Sequence, residues 1–433
     1  MHDFSGQRVL LASSIRWPVA AKLALAFLRH GCEVKAVCPQ DHPFSFVSGI
    51  SRFYRYRGTD SLRSLGDAMT LSDPDLVIPC DDGVVWQLHA LHRAKPELRP
   101  LIERSLGDPD GYEVVAGRAE LMEIAEELQI RVPRTIRVAD AADLREWFSR
   151  EGAAGVLKLD WTCGGAGVEV VRSFADAEKA LQTMGRPATF MTAFGRWLLI
   201  HDALAFWKWR HRRRRAVTLQ QLIVGRPANA MMACRDGKVL GLVTVEVLFA
   251  QGPTGTALAV RLVENDEIRT GAERIAKRLR LSGFHGLDYV LEDGTGDAYL
   301  IELNPRCTQL GHLQVGSQDD LAGILCGASA NASLQGSRSS GGGKGIGGKV
   351  IAFFPEALLS NPPCPYLGDA YVDTPLEEPR LLGELTRGDW RDRRLLARLY
   401  RACRPAKRTA VAFEDGGARG ARLEDPAVSG VNL

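Results

Sequence analysis

A chain of 433 residues, 45% hydrophobic and 25% charged, is long enough for two or three domains with a sizeable core, and its composition is that of an ordinary protein folding in water. Lys and Arg outnumber Asp and Glu by 55 to 52, but Arg210 and Arg212 to Arg215 put five of those charges in one place, so the spread basic face of a nucleic-acid binder is excluded. The nine cysteines are scattered and never spaced C-x-x-C, which argues against a disulfide framework or zinc site and suits a reducing cytosol.

No signal-peptide pattern occupies Met1 to Gln7, and a cytoplasmic protein is expected. "RVLLASS" (Arg8 to Ser14) reads as a buried strand, "VAAKLALAFLRHG" (Val19 to Gly31) as a helix closed by glycine, and "EVKAVCP" (Glu33 to Pro39) as the next strand. A further unit runs through "PDLVIPCDD" (Pro74 to Asp82) into a helix from Val84. An open parallel sheet follows from this βαβ grammar, with ligands expected at the strands' carboxyl ends, where Asp81 and Asp82 are candidate substrate contacts. "ASSIRWP" (Ala12 to Pro18) stands where G-x-G-x-x-G would bind a dinucleotide.

From Arg118 the order changes to a helix (Ala119 to Leu128), a strand (Val132 to Val138), a helix (Ala141 to Arg150), and then strand, glycine loop and strand in "GVLKLDWTCGGAGVEVV". Gly164, Gly165 and Gly167 free the backbone to turn its N–H groups on phosphates, with Lys158 adding a point charge; a plain Gly-rich turn is the alternative. Arg118 is a phosphate contact or an ordinary surface ion partner. "QQLIVG" is a hinge whose Gln221 and Ile223 offer groups to an adenine, or an edge strand. "AMMACRDGKVLGLVTVEVL" holds two strands about a turn at Arg235 to Lys238, and a helix from Asp266 to Arg280 leads into a hairpin.

In that hairpin, alternation and pairing place Asp288 and Glu302 side by side with Asn304 on the same face. Two carboxylates and an amide oxygen are a hard, oxygen-only set suited to one or two Mg²⁺ ions whose remaining ligands are water and phosphate, and Arg306 aims a planar fork at what those ions hold. His312 and Arg261 are acceptor-site candidates or structural residues. Gly336 to Gly348 is a Ser/Gly-rich linker, followed by a strand in "KVIAFFP" and an Arg-rich helix (Trp390 to Arg404).

The order of these pieces, with "GLDYV" and "LIELNPR" the most specific, resembles the ATP-grasp superfamily, and more closely its carbamoyl-phosphate-synthetase-like and amino-acid-ligase-like branches. The resemblance runs from about Gln7 to Gly327. It implies an α/β chain: a Rossmann-like pre-ATP-grasp domain (1–117), a two-lobed ATP-grasp domain (118–330) whose lid spans about 155–225, and a linker with C-terminal extension (331–433). It also implies ATP bound through Arg118, Lys158, the loop glycines, Gln221, Leu222 and Ile223. Two Mg²⁺ ions, with Mn²⁺ as the alternative, would sit on Asp288, Glu302 and Asn304, and Lys158 and Arg306 would be catalytic. The chain departs from the pattern at Arg118, where many relatives have Lys, at Ala166, and at Gln221, a frequent Glu. The implied reaction activates a small carboxylate as an acyl phosphate for attack by an amine, thiol or other nucleophile. A non-catalytic ATP-binding regulator and an enzyme acting on bicarbonate are the alternatives.

"GRWLLIHDALAFWKWRHRRRR" (Gly195 to Arg215) interrupts the lid. Its apolar stretch, Trp197 to Trp209, is short of the ~20 residues that span a bilayer. A packed helical pair or homodimer contact, and peripheral contact with anionic lipid, are the readings weighed for it, with nucleic acid the least favoured.

Overall fold

The computed structural model describes residues 6–151, 154–160, 167–184, 189–191, 193–195, 209, 216–313, 320–327, 348–387 and 410–413. Strands β1 (Arg8–Ala12), β2 (Glu33–Cys38), β3 (Arg52–Arg55) and β4 (Leu76–Pro79) form a parallel sheet in the order β3-β2-β1-β4. Helices cover it on both sides, so strands buried on both faces must be apolar, as "VLLA" in the inner strand β1 and "LVIP" in β4 are. The edge strand β3, "RFYR", has no such run and is absent from the sequence reading, as is the helix Ser61–Ser72.

Where β1 and β4 end, Asp81 caps the helix Asp82–Ala94 through Val84 N (3.1 Å) and accepts from Ser13 Oγ (2.9 Å), Ser14 N (2.7 Å) and Ser14 Oγ (2.6 Å). A carboxylate so enclosed is a scaffold, not the substrate contact expected of Asp81. Asp81→Ala should cost about 2–3 kcal/mol, because four donors lose a charged acceptor at once. Urea denaturation checks this, and a loss under about 0.5 kcal/mol would mean that the two strand ends are held by other contacts.

A second sheet contains β5 (Thr135–Val138), β6 (Gly155–Leu159), β7 (Val168–Val171) and β8 (Val217–Gln221) in the order β5-β8-β6-β7. It packs the helices Ala141–Glu151 and Phe174–Met184 around Trp147. Three of its strands fall in the span read as the lid, about 155–225, and β5 precedes residue 155. Gly164 and Gly165 of the expected phosphate loop lie outside the described residues, as does the 195–215 insertion except Gly195 and Trp209. Among the described residues no helix is long and apolar enough to cross a membrane.

The third sheet has eight strands. β9 (Gly225–Arg235), β10 (Lys238–Ala250), β11 (Ala257–Leu262), β12 (Gly283–Glu292) and β13 (Ala298–Asn304) are joined by β14 (Val350–Ala352), β15 (Tyr371–Val372) and β16 (Val411–Ala412), in the order β13-β12-β9-β10-β11-β14-β15 with β16 on β10. β9 turns into β10 through Asp236 and Gly237, both at positive φ (48° and 79°), the geometry a two-residue Asp-Gly hairpin turn requires. The expected C-terminal extension differs from what is seen, because β14 to β16 are built into this sheet.

One face of the large sheet packs Met231, Val245 and Phe284 on Leu23 and Phe27 of the helix Val19–Arg29. The other packs Ala230, Leu287 and Tyr289 on the helices Arg118–Glu127 and Asp266–Arg278. The edge strand β13 is thereby brought between the N-terminal sheet and the lid sheet.

Candidate active site

β12 and β13 form a hairpin whose register sets Asp288 opposite Glu302, with an irregularity just beyond this pair. Asp288 accepts from Asn304 Nδ2 (3.0 Å) and Asn229 Nδ2 (2.6 Å). Asn229 reaches it from β9, where it is Asp288's register partner. Burial, reinforced by the nearby charge of Glu302, pushes the Asp288 carboxyl up to about 6. Two carboxylates held this close form a place where a cation is wanted.

Three cations surround them. Arg306 lies with Nε 3.0 Å from Asp82 Oδ1 and its guanidinium 5.6 Å from the centre of the Trp17 ring, while Nη2 donates to Asn304 Oδ1 (3.4 Å). The N-terminal sheet thus supplies both walls against which this arginine is set. Lys158 is 5% exposed and donates from Nζ to Gln220 Oε1 (2.6 Å) and Ile301 O (3.4 Å). Burial draws its pKa down to about 8, against the opposing pull of Glu302.

Arg118 begins the helix Arg118–Glu127 and spans two sheets, with Nη1 donating to Leu159 O (3.0 Å) and Asp160 Oδ1 (3.1 Å) and Nη2 to Glu302 Oε1 (2.8 Å). Its Nε is buried without a hydrogen-bond partner among the described residues. Beside these groups a depression is lined by Asp82, Trp86, Val115, Leu121, Glu302 and Asn304.

Of the residues singled out in the sequence, Arg118, Lys158, Asp288, Glu302, Asn304 and Arg306 are therefore brought together. Gly167, at φ 74°, follows the undescribed part of the loop. Gln221 ends β8 with its backbone N–H on Arg134 O (2.8 Å) and its residue surface exposed, Leu222 N donates to Ala154 O (3.1 Å), and Ile223 is half-buried in the link to β9. Gln220, its neighbour, is the glutamine that meets Lys158. His312 is buried on Asp373 (2.9 Å), a structural position, and Arg261 stands 3.7 Å from Glu246 on the large sheet.

Asn229, Asp160, Gln220 and Trp17 escape a reading along the chain. Asp160 alone carries a signal, since strand alternation places it two residues after Lys158 on the same face.

The donor set fits a hard divalent cation, because Asp288 and Glu302 are in register with an amide beside them and carry no sulfur or imidazole. Among the described residues no three His, Cys, Asp or Glu side chains converge as a metal site, so further ligands must come from elsewhere.

Comparisons with known proteins bear on the fold. Residues 202–309 match the family model of the ATP-grasp domain. No curated protein matches the sequence. The biotin carboxylase domain dimer of Hydrogenobacter thermophilus 2-oxoglutarate carboxylase, solved with MgADP, ADP and bicarbonate, is similar in fold, with a TM-score of 0.56 and 14% identity over 75% of this chain and 70% of that one. The Campylobacter jejuni biotin carboxylase complex gives 0.53 and 14% over 74% and 70%. The N5-carboxyaminoimidazole ribonucleotide synthetase of Thermus thermophilus gives 0.52 and 17% over 73% and 76%. Of the Rhizobium etli pyruvate carboxylase chain, 17% identical with a TM-score of 0.49, this protein spans 26%. Residues 202–309 thus match the ATP-grasp domain model, and about three quarters of the chain shares the fold of these solved enzymes.

Proposed function

We propose that this protein is an ATP-dependent carboxylate ligase that activates a small carboxylate as an acyl phosphate and passes it to an amine, thiol or other nucleophile, releasing ADP and phosphate. The observation that carries this reading is the in-register pair Asp288 and Glu302, with Asn304 beside them and Arg118, Lys158 and Arg306 around them. Asp288, Glu302 and Asn304 would hold Mg²⁺, which when bound draws off charge from the phosphate oxygens.

A carboxylate is a poor electrophile, because its charge repels nucleophiles and its oxygen leaves badly. When a carboxylate oxygen attacks the γ-phosphorus of ATP, a new P–O bond forms, the bond from that phosphorus to the β,γ-bridging oxygen breaks with ADP leaving, and the acid becomes an acyl phosphate whose phosphate leaves well. Charge accumulates on phosphate oxygens during the transfer, and Lys158 and Arg306 would meet it there, with Arg118 standing beside them on Glu302. Asp82 and Trp17 hold the Arg306 guanidinium in one orientation, so no reorganisation of that group is needed in the transition state. The depression bounded by Asp82 and Trp86 is where the acid and nucleophile would enter, between the N-terminal sheet and β13.

A second reading takes bicarbonate as the acid. It is favoured by one observation: the solved Hydrogenobacter domain of the same fold contains MgADP and bicarbonate.

ADP release measured for wild type against amino acids, other small carboxylates and bicarbonate, each with and without an amine or thiol, separates the two. Turnover that requires both an organic acid and a nucleophile supports the ligase, and turnover with bicarbonate alone supports the second reading. Glu302→Ala should lower either rate at least about 100-fold, since a ligand of the charge-stabilising ion is lost. Undiminished turnover in that variant would refute the site.

A further inference from the structure

Glu302, a carboxylate required by the proposed metal site, is already neutralised. Arg118 Nη2 lies 2.8 Å from its Oε1, and the same guanidinium reaches the lid sheet through Leu159 O and Asp160 Oδ1. A lysine ammonium at this position would be a point charge without the planar fork that makes these three contacts together. Asp160 is 4% exposed and follows β6 on the second sheet, where its carboxylate lies 3.1 Å from Arg118 Nη1. Arg118 Nε, meanwhile, is a buried donor with no hydrogen-bond partner among the described residues.

We infer that Arg118 is an exchange residue: in the nucleotide-free protein it is the counter-ion of Glu302, and when nucleotide binds it transfers to the phosphates as Glu302 transfers to the divalent cation. The protein then takes up its metal together with nucleotide and not before. This rests on the reading of the cleft as a metal–nucleotide site. One ion pair opens and two form, so neither the arginine nor the carboxylate is left buried and alone at any stage, a state that would be costly. Asp160 keeps its hold on Nη1 throughout, so that the guanidinium pivots and stays in the cleft. Asp160 is a positioning residue for Arg118.

The full-length protein is titrated with Mn²⁺ in the absence and presence of ADP, with free Mn²⁺ read by electron paramagnetic resonance. Without nucleotide, Arg118→Gln should bind Mn²⁺ at least about tenfold more tightly than wild type, because a competing positive charge has left the Glu302 carboxylate. With ADP, wild type should gain a saturable Mn²⁺ site, and the effect of ADP on Mn²⁺ affinity should shrink in Arg118→Gln. Asp160→Asn, which leaves the Arg118–Glu302 pair in place, should exclude free Mn²⁺ as wild type does yet bind Mn²⁺ with ADP more weakly. A purely structural Asp160 would not split the two measurements in this way.

Equal nucleotide-free Mn²⁺ affinity in wild type and Arg118→Gln would overturn the exchange while leaving the site reading intact. Failure of wild type to bind Mn²⁺ even with ADP would instead overturn the site reading. If Arg118→Gln does not fold, Arg118→Lys serves, with the same direction and a smaller change expected.

Discussion

On the proposed reading, Lys158→Met is expected to weaken Mg-ADP binding at least about 100-fold, since it would remove a charge-assisted contact to phosphate in a water-poor site. It should leave stability within about 1–2 kcal/mol of wild type, because two effects of similar size oppose one another. Removing the ammonium abolishes the cost of burying it, which is visible in a pKa drawn down to about 8 by burial. Against this, Gln220 Oε1 loses its donor, although Gln220 Nε2 keeps Thr135 Oγ1 at 3.1 Å.

The pH dependence tells the two apart. With the folded pKa near 8 and the unfolded value near 10.5, the unfolded chain binds more protons between them, so this lysine makes stability rise with pH across that window. Lys158→Met should lack that rise. Calorimetric titration with Mg-ADP and urea unfolding at pH 7 and pH 10 measure both quantities. A variant that lost stability but retained ADP binding would make Lys158 a structural residue.

The largest effect on stability is expected at Asp373, beside the short strand β15. Its Oδ2 accepts from Lys22 Nζ (2.6 Å) and His312 Nε2 (2.9 Å), and its Oδ1 accepts from Phe354 N. The side chains of Lys22 and Asp373 are each 3% exposed. Asp373→Ala leaves the Lys22 ammonium buried with Phe354 O as its one acceptor among the described residues, at a cost of about 3–5 kcal/mol. Lys22→Met combined with Asp373→Leu should restore most of that loss, because both charges go together.

Although burial opposes ionisation, the bond from His312 and the charge of Lys22 hold the Asp373 carboxyl below its usual 3.8. A depressed carboxyl contributes stability that is present above the unfolded value and lost as pH falls through the folded one. The gap between wild type and Asp373→Ala should therefore narrow below pH 3.8. Guanidinium denaturation at pH 7 and at pH 3 tests this, and a constant gap would mean that Asp373 acts through packing alone.

This cluster also shows where reading along the chain stops. Lys22 lies in the first helix, His312 just after "LIELNPR" and Asp373 in a stretch that reads as a bare extension, and nothing local marks them as partners. The strand expected in "KVIAFFP" is present as β14, whereas β15 and β16 have two residues each, too few for a periodicity of their own, and gain their place only by pairing with β14 and β10. Gln220 and Gln221 make the same point within one strand. β8 pairs with β6 so that Gln220 falls opposite Val156 and Thr218 opposite Lys158, and a shift by one residue would have turned Gln221 toward the lysine instead.

What the amino-acid order determined was whatever a short connection could enforce. The β12–β13 hairpin closes through a few residues, so its register follows from turn and alternation, and Asp288 meets Glu302 as the sequence implies. The apolar runs of β1, β2 and β4 likewise dictate a covered parallel sheet. Tertiary structure alone decided the partners of the charges: Arg118 on Glu302 and Asp160, Arg306 on Asp82, Lys22 on Asp373. The reason is that a buried charge accepts whichever opposite charge the packing of distant segments brings to it, and the strength of that demand falls with distance in space, not with separation along the chain.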